Sequence, residues 1–559
     1  MTWKRQPLTT RRPMGIETEF GIVHTSTSER ERSAASASTR LSHYAVAAYA
    51  LLDDSNKRRV RWDYGDETPL RDARGFELHR AAAHPTQLTD ETHDAHVPSV
   101  EAEFEIAVGD DVPPDLDDAA TIHFAERRAI GNAVLQNGAR LYVDHAHPEY
   151  SSPEVMTARE GLVWDKAGEE IARRAMARVE GADGIPPLAL FKNNTDGKGQ
   201  SYGTHENYLV DRSVPFDRLC EILIPFFATR QILVGAGRVG IGTRGESDGF
   251  QISSRADFFE NDVGLETTLN RPIVNSRDES HADASRFRRL HVIIGDANVF
   301  ETSTFLKLAM TSLVLSLAER EHATGEPLLP EVRLVDPVEA VHDISHDLSL
   351  SKTYATVGGG KASALEIQRS YLNAVLHALD GEMPDVETAE AVALWSELLD
   401  VLERDPLEAA DRIEWVGKYA LVSAFRERHS LEWSDPRLVA LDLQFTDLRV
   451  GKSIYEKLSR SGRARRLVSD EEILHAVTHP PESTRAYFRG GIVKHHREDL
   501  DSAGWDAVTL RTEGAAVRVR LADPAIASKS WCEQHGIDPE DDVDTILERF
   551  REAAGHPQR

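Results

Sequence analysis

Cysteine is almost missing from this chain of 559 residues; the only two are Cys220 and Cys532. That excludes a disulfide framework and any zinc site built on thiolates, and it predicts a reducing, cytoplasmic setting. Positive charge is also short: 65 Lys and Arg stand against 93 Asp and Glu, for a net charge of −28 and a pI near 5.3. Such a surface repels nucleic acid and anionic membrane, so neither is an expected partner. No long apolar run exists. The richest stretch, LCEILIPFFATRQILVGAG, is interrupted by Glu221, Pro225 and Arg230 and is too broken to span a bilayer. The opening MTWKRQPLTTRRPMG has no apolar segment behind its basic residues, so it does not read as a secretory signal. A soluble protein is expected. One enzyme signature, the G-x-x-x-x-G-K-[ST] phosphate loop, is absent as well. GAGRVG (235–240) matches G-x-G-x-x-G in letters only. A helical pattern precedes it, and IGTRGESDG after it cannot hold a stable helix, so it is not read as a dinucleotide site.

What is present is ample material for a core, with 40% hydrophobic and 28% charged residues. The length admits three to four domain-sized units, or one large α/β domain with a smaller one. Residues 1–13 read as a loose basic tail and MGIETEFGIV (14–23) as a strand. LSHYAVAAYALLDD has helical periodicity. From Ala81 to Glu126 there is no Lys or Arg but frequent Asp and Glu, which reads as a long acidic insertion. AERRAIGNAVLQNGA then reads as a helix closed by Asn-Gly, and ARLYVDHA as a strand. Residues 154–180 and 214–235 read as helices. LALFKNN, HENYLV and RRLHVIIGDAN read as strands, with FQISSRADF and RPIVNSRD extended. ETSTFLKLAMTSLVLSLAER reads as a core helix with a Thr/Ser cap. The pattern is mostly helical from about 330 to 430 and mixed beyond about 435, which suggests a small C-terminal unit.

Four constellations could carry chemistry. In GIETEFG, Glu17 and Glu19 are two apart on a strand and face the same way. Paired carboxylates repel unless a cation or base sits between them, and oxygen ligands suit hard cations such as Mg²⁺. A solvent-facing strand edge is the equal alternative. In NGARLYVDHAHPEYSSPE, Tyr142 and Asp144 share one face; Pro148 is expected to end the strand and Glu149 to follow on the turn. His145 and His147 read as polar loop residues rather than zinc ligands, because no three firm N/S ligands lie nearby. In KNNTDGKGQSYGTHENY, Gly197, Gly199 and Gly203 permit close backbone approach to a ligand, and His205 follows where the turn becomes a strand. Arg255, Arg277 and His291 mark an Arg-rich set, suited to bidentate phosphate contacts or to surface ion pairs.

MGIETEFGI, NGARLYVDHAHPEYSSPE, FKNNTDGKGQSYGTHENYL, RPIVNSRDESHADASRFRRLHVIIGDAN and THPPESTRAYFRG together resemble the Pup ligase and depupylase family. These are relatives of glutamine synthetase and γ-glutamyl-cysteine synthetase. The matching order covers nearly the whole chain. The resemblance implies an α+β fold: a curved antiparallel β-sheet cradle packed by helices (14–430), with a small C-terminal domain (431–559). It implies ATP and Mg²⁺ as cofactors, and the modifier Pup and pupylated proteins as partners. Carried onto matching positions, Glu17, Tyr142 and Glu149 would serve one metal. Glu19, His205 and His291 would serve a second, and Arg255 and Arg277 would hold ATP phosphates. Asp144 matches the essential aspartate, acting either as nucleophile on the Pup side-chain amide or as base for a water.

Within the family, one branch joins Pup to a lysine using ATP; the other deamidates the C-terminal Gln of Pup and cleaves Pup from conjugates. RVRWDYGDETPLRDARGFEL (59–78) resembles the loop of the depupylase branch, and so assigns the chain there, with ATP as a bound cofactor. Two motifs depart from the usual pattern: MGIETEFG is closer to the ligases than the GTEVEYG usual in depupylases, and DESHAD replaces DEPHAD. The ligase is the alternative. A glutamine synthetase-type small-molecule ligase and a Pup-binding adaptor with a dead site are more distant. Because Pup-like modifiers are acidic, docking requires a local basic surface, for which RSGRARR (460–466) and RFRRLH (286–291) are candidates.

Overall fold

The computed structural model describes residues 8–25, 38–51, 60–65, 67–79, 116–127, 131–196, 201–240 and 247–553. Its centre is built from strands with period-two alternation: β1 (Met14–Glu19), β2 (Asn132–Val134), β3 (Arg140–Asp144), β4 (His147–Ser151), β5 (Thr204–Asp211) and β6 (Phe287–Val292). They form one sheet in the order β6-β5-β1-β4-β3-β2, and every neighbouring pair is antiparallel. In β1, Met14, Ile16 and Thr18 are buried on one face, which leaves Glu17 and Glu19 on the other.

Helices α1 (Ser38–Leu51), α2 (Ala158–Glu180), α3 (Phe216–Val234) and α4 (Glu301–Thr324) pack around this sheet. Glycine allows the tightest approaches: a Cβ on Gly168 of α2 would lie 2.4 Å from the Tyr150 ring, and one on Gly161 would lie 2.5 Å from Leu308 of α4. The main core includes Met14, Ile16, Tyr150, Leu162, Phe226, Leu290 and Leu313. It also takes in Leu438, Val468 and Val477, so packing continues past the boundary expected near residue 430. A second core gathers Phe488, Ile492, Leu510 and Ile546, together with Val60 and Trp62 from far upstream.

Several local expectations change. Of the stretch read as a helix over 125–139, residues 125–127 end a helix of Asp118–Arg127, and Asn132–Val134 pairs as a strand with Arg140–Asp144. Asn-Gly makes a hairpin turn here rather than a helix end, with Gly138 at φ 79 and Gly138 N–H donating to Leu135 O. Pro148 does not end the strand. β3 and β4 form a hairpin with Asp144 opposite His147, so Glu149 lies inside a strand opposite Tyr142. The segment 8–13 is not loose, because Arg12 is buried and its guanidinium grips Glu319 at 2.7 and 2.8 Å. The start of α4 has no hydroxyl cap; the buried Glu414 carboxylate accepts from Val299 N–H (2.8 Å) and Phe300 N–H (2.9 Å) instead.

Of the acidic insertion read over 81–126, residues 81–115 lie outside the described residues. The 59–78 segment is anchored at both ends. Arg61–Trp62 adds a parallel edge to Leu500–Ala503. Thr68 N–H donates to Glu279 (2.6 Å), Ser276 Oγ to Asp72 (2.6 Å), and Asp278 N–H to Arg71 O (2.8 Å). The segment therefore covers residues 276–279, Arg277 among them.

Beneath the sheet, Glu206 points opposite to His205 and Asn207. Arg230 of α3 holds it through two bonds of 2.5 and 2.9 Å, and Tyr208 Oη donates to it at 2.6 Å. Both side chains are almost fully buried. Removing one partner leaves an uncompensated charge at a cost of about 3–5 kcal/mol, whereas an apolar pair of matched volume is tolerated. Urea unfolding should therefore show Glu206→Ala destabilised by about that amount, with Glu206→Leu/Arg230→Met recovering most of it. Equal destabilisation by the double variant would mean that packing, not the charge pair, sets the cost.

Candidate active site

The register of the six strands gathers the polar residues on the open face. Glu17 lies opposite His205, Glu19 opposite Glu149, Tyr142 opposite Glu149, and Asn207 opposite His291. Two groups of potential ligands result: Glu17 with His205 and His291, and Glu19 with Asp144 and Glu149. Within each, one ligand atom per residue lies within 4.8 Å of the others. Five of the six expected metal residues, Glu17, Glu19, Glu149, His205 and His291, fall in these two groups together with Asp144. Each β1 glutamate keeps company with its direct cross-strand partner, so Glu17 goes with the histidines and Glu19 with Glu149. Tyr142 lies opposite Glu149 in the register, with its ring 3.9 Å from the Arg140 guanidinium.

Four carboxylates on one face create a charge problem. Burial, and then the negative charges of Asp144, Glu17 and Glu19, push Glu149 well above the usual carboxylate range. Glu17 goes the other way: burial alone would raise it, but the His205 bond and the nearby His291 and Arg289 hold it well below. Asp144 is also lowered, because its bond to His145 and the charges of His145 and His205 outweigh burial. Burial, reinforced by Arg289, keeps His291 neutral. An Asn207-centred network then orients the ligands. Asn207 Nδ2 donates to Glu17 (3.0 Å), and its Oδ1 accepts from Arg289 (2.8 Å) and His291 Nδ1 (2.9 Å). That leaves Nε2 of His291 as the ring's lone-pair donor.

A cavity of about 1010 Å³ opens beside the second group, lined by Glu19, Asp144, Arg238, Arg255, Arg271 and Lys418 among others. Arg255 reaches it from a buried seat, with Nη1 donating to Ile293 O (2.7 Å) and Gly295 O (2.9 Å). Arg277 is not in its wall. It lies on the Glu17 side near Arg289 and Glu279, buried, with Nε lacking a hydrogen-bond partner among the described residues. Gly203 N–H donates to Glu19 (2.9 Å), and a Cβ there would meet Asn194 Oδ1 at 2.7 Å; Gly197 and Gly199 lie outside the described residues. His147 packs its ring on Tyr202, 4.1 Å between centroids. Neither His145 nor His147 joins a ligand group among the described residues.

Sequence reading missed Asn207, Arg289, Arg238, Arg271 and Lys418. Asn207 and Arg289 carried a signal, since each sits two residues from a histidine of the site on the same strand, His205 and His291. The others reach the site from distant segments.

A family model described as Pup-ligase protein matches residues 12–509. The chain is 43% identical over 549 residues to a Pup deamidase/depupylase of Mycobacterium tuberculosis, covering 98% of this chain and 100% of the relative. It is 39% identical over 400 residues to a Pup–protein ligase of Mycolicibacterium smegmatis, covering 70% and 87%. The ligase PafA in complex with Pup aligns with a TM-score of 0.73 at 29% identity, over 98% of this chain and 93% of that one. PafA in complex with ADP aligns at 0.66 and 33% identity, over 78% and 96%. No helix among the described residues is long and apolar enough to cross a membrane.

The site's edge generates a pH dependence. Burial, only partly offset by Glu279, depresses His281 to about 4. A lowered imidazole pKa means that the folded state refuses a proton the unfolded chain accepts. Stability is therefore full above about 6.5 and falls as pH drops toward 4, by about 3 kcal/mol in all. Chemical denaturation from pH 7 to 4 should show less acid destabilisation in His281→Asn, a residue that tolerates the φ of 46 found there. Superimposable pH profiles for variant and wild type would remove His281 from the account.

Proposed function

This chain belongs to the Pup-ligase protein family, and we propose that it acts there as a Pup deamidase and depupylase. It hydrolyses the side-chain amide of the C-terminal Gln of Pup and the isopeptide bond between Pup and a substrate lysine. The observation that carries this reading is the reach of the likeness, which spans the depupylase end to end but leaves nearly a third of the chain unmatched by the ligase.

The donor set fits divalent cations and a nucleotide. Glu17, His205 and His291 would hold one Mg²⁺; Glu19 and Glu149, with Tyr142 behind, would hold a second. A cation beside Glu149 relieves the crowding that otherwise drives its carboxylate toward protonation. The cavity, with its arginines and Lys418, takes ATP or ADP, which PafA also binds in its ADP complex. Arg277, with Nε unpartnered, is left for an anionic group of a bound ligand on the opposite side. When bound, magnesium and the phosphates supply electrostatic stabilisation for charge that builds on the amide oxygen.

Asp144 carries the chemistry. Glu19 and Glu149 are buried and Glu17 has 18% of its side chain exposed, while Asp144 has 39% exposed at a hairpin tip on the cavity wall. It is the carboxylate a substrate can reach, and its lowered pKa keeps it ionised. In that state it either adds to the amide carbonyl or takes a proton from the attacking water. The C–N bond breaks and the amine takes up a proton to leave as ammonia or as the lysine amine; where Asp144 has added to the carbonyl, water then cleaves the acyl–aspartate anhydride to release Pup ending in Glu and restore the carboxylate.

Purified protein mixed with Mg²⁺, ATP and Pup ending in Gln should release ammonia and free Pup from a conjugate. Asp144→Asn should lose at least about 10³-fold in rate while still binding nucleotide by calorimetry. Near-normal turnover in that variant would remove Asp144 from the mechanism; ATP-consuming attachment of Pup to lysine, without ammonia release, would identify a ligase.

A further inference from the structure

His145 is the first residue of the two-residue loop between paired Asp144 and His147. Its φ is 52, in the left-handed region. Glycine is the residue that a tight hairpin of this kind favours at that position, because a Cβ makes the conformation costly. The loop is also held from outside: Ser42 Oγ of α1 donates to Ala146 O at 2.8 Å, and His147 is stacked on Tyr202. The conformation is therefore imposed by its surroundings, and the imidazole is kept in spite of it. What the imidazole does there is plain from the geometry. Its Nδ1 lies 3.0 Å from Asp144 Oδ2, and the two side chains are 43% and 39% exposed at the mouth of the same cavity.

We propose that His145 is a positioning residue for Asp144. Its Nδ1–H donates to Oδ2, fixes the carboxylate's rotation, and leaves Oδ1 as the oxygen presented to the amide carbonyl or to the attacking water. The inference rests on the reading of Asp144 as the reacting carboxylate, and it explains a backbone conformation that the turn alone does not require. Strain kept at a reactive group is the pattern expected where a side chain is needed in one place.

Glycine and asparagine separate this role from a structural one. Glycine adopts the φ freely but removes the donor. Asparagine tolerates the left-handed region and places an amide N–H close to where Nδ1 stood. We expect His145→Gly to melt no lower than wild type, to keep KM for Pup, and to lose about 10-fold or more in kcat, the scale of a lost supporting contact at a reactive group. His145→Asn should stay within about threefold of wild-type kcat, because it keeps the donor. A His145→Gly enzyme within twofold of wild-type kcat, or a His145→Asn enzyme as impaired as the glycine variant, would overturn the proposal.

A readout independent of turnover separates this failure from failure of the proposed function. In ¹⁵N-histidine-labelled protein, the Nδ1 signal assigned by its loss in His145→Gly should move when Asp144 is replaced by Ala. An unmoved signal would overturn the contact itself. A wild-type enzyme that hydrolyses no Pup amide, yet shows the shift, would overturn only the function.

Discussion

Four carboxylates, Glu17, Glu19, Asp144 and Glu149, project from one face of an antiparallel sheet, and the rest of the site is arranged around their mutual repulsion. No surface would retain such crowding by accident. The register determines how each is accommodated: Glu17 lies against His205 and Arg289 and is held ionised, whereas burial and the charges of Asp144, Glu17 and Glu19 drive Glu149 toward its protonated form. A cation is the remaining way to hold Glu19 and Glu149 ionised side by side. The same crowding separates roles, because the buried acids can only ligate while the one at the hairpin tip can meet a substrate.

The face that binds is affordable because the opposite face is stiff. Each strand alternates between an acid or imidazole above and a packing residue below, so Glu206 and Tyr208 sit under the sheet while His205 and Asn207 sit over it. Below, Glu206 is locked by Arg230, and Gly161 and Gly168 let α2 press directly on Leu308 and Tyr150. A one-residue slip in any strand would send the ligands into the core. The packing that specifies register is thus also what specifies the site.

Most of the elements were legible from periodicity, and strand alternation paired Glu17 with Glu19, while the full set of six ligand candidates came from the resemblance to the family. The grouping was not legible, since it depends on which strands are neighbours and in what register, and a linear pattern carries neither. The hairpin at Asn137–Gly138 was mistaken for a helix end because Asn-Gly serves both purposes, and only the partner strand decides. Arg277 and Arg255 looked alike in sequence, yet chain topology sends one to the Glu17 side and the other to the cavity. The missing cap on α4 had the same origin: its acceptor is Glu414, more than a hundred residues away.

The relation between a ligase and a hydrolase on one scaffold can then be stated physically. Cation sites and nucleotide cavity depend on the sheet's register, which a change of reaction must leave alone. What can vary is the tip of the β3–β4 hairpin and the 59–78 segment over residues 276–279, because neither contributes to the pairing of the ligand strands. The hairpin tip holds Asp144 opposite His147 with its side chain 39% exposed on the cavity wall. The segment lies across the chain on either side of Arg277, binding to Ser276, Asp278 and Glu279, and is itself fastened to the second core through Trp62. The second core, which includes the C-terminal strands and helices, is therefore tied through this segment to residues 276–279 without passing through the sheet. Divergence of reaction on this fold needs only such peripheral parts to move, while the carboxylate face stays fixed.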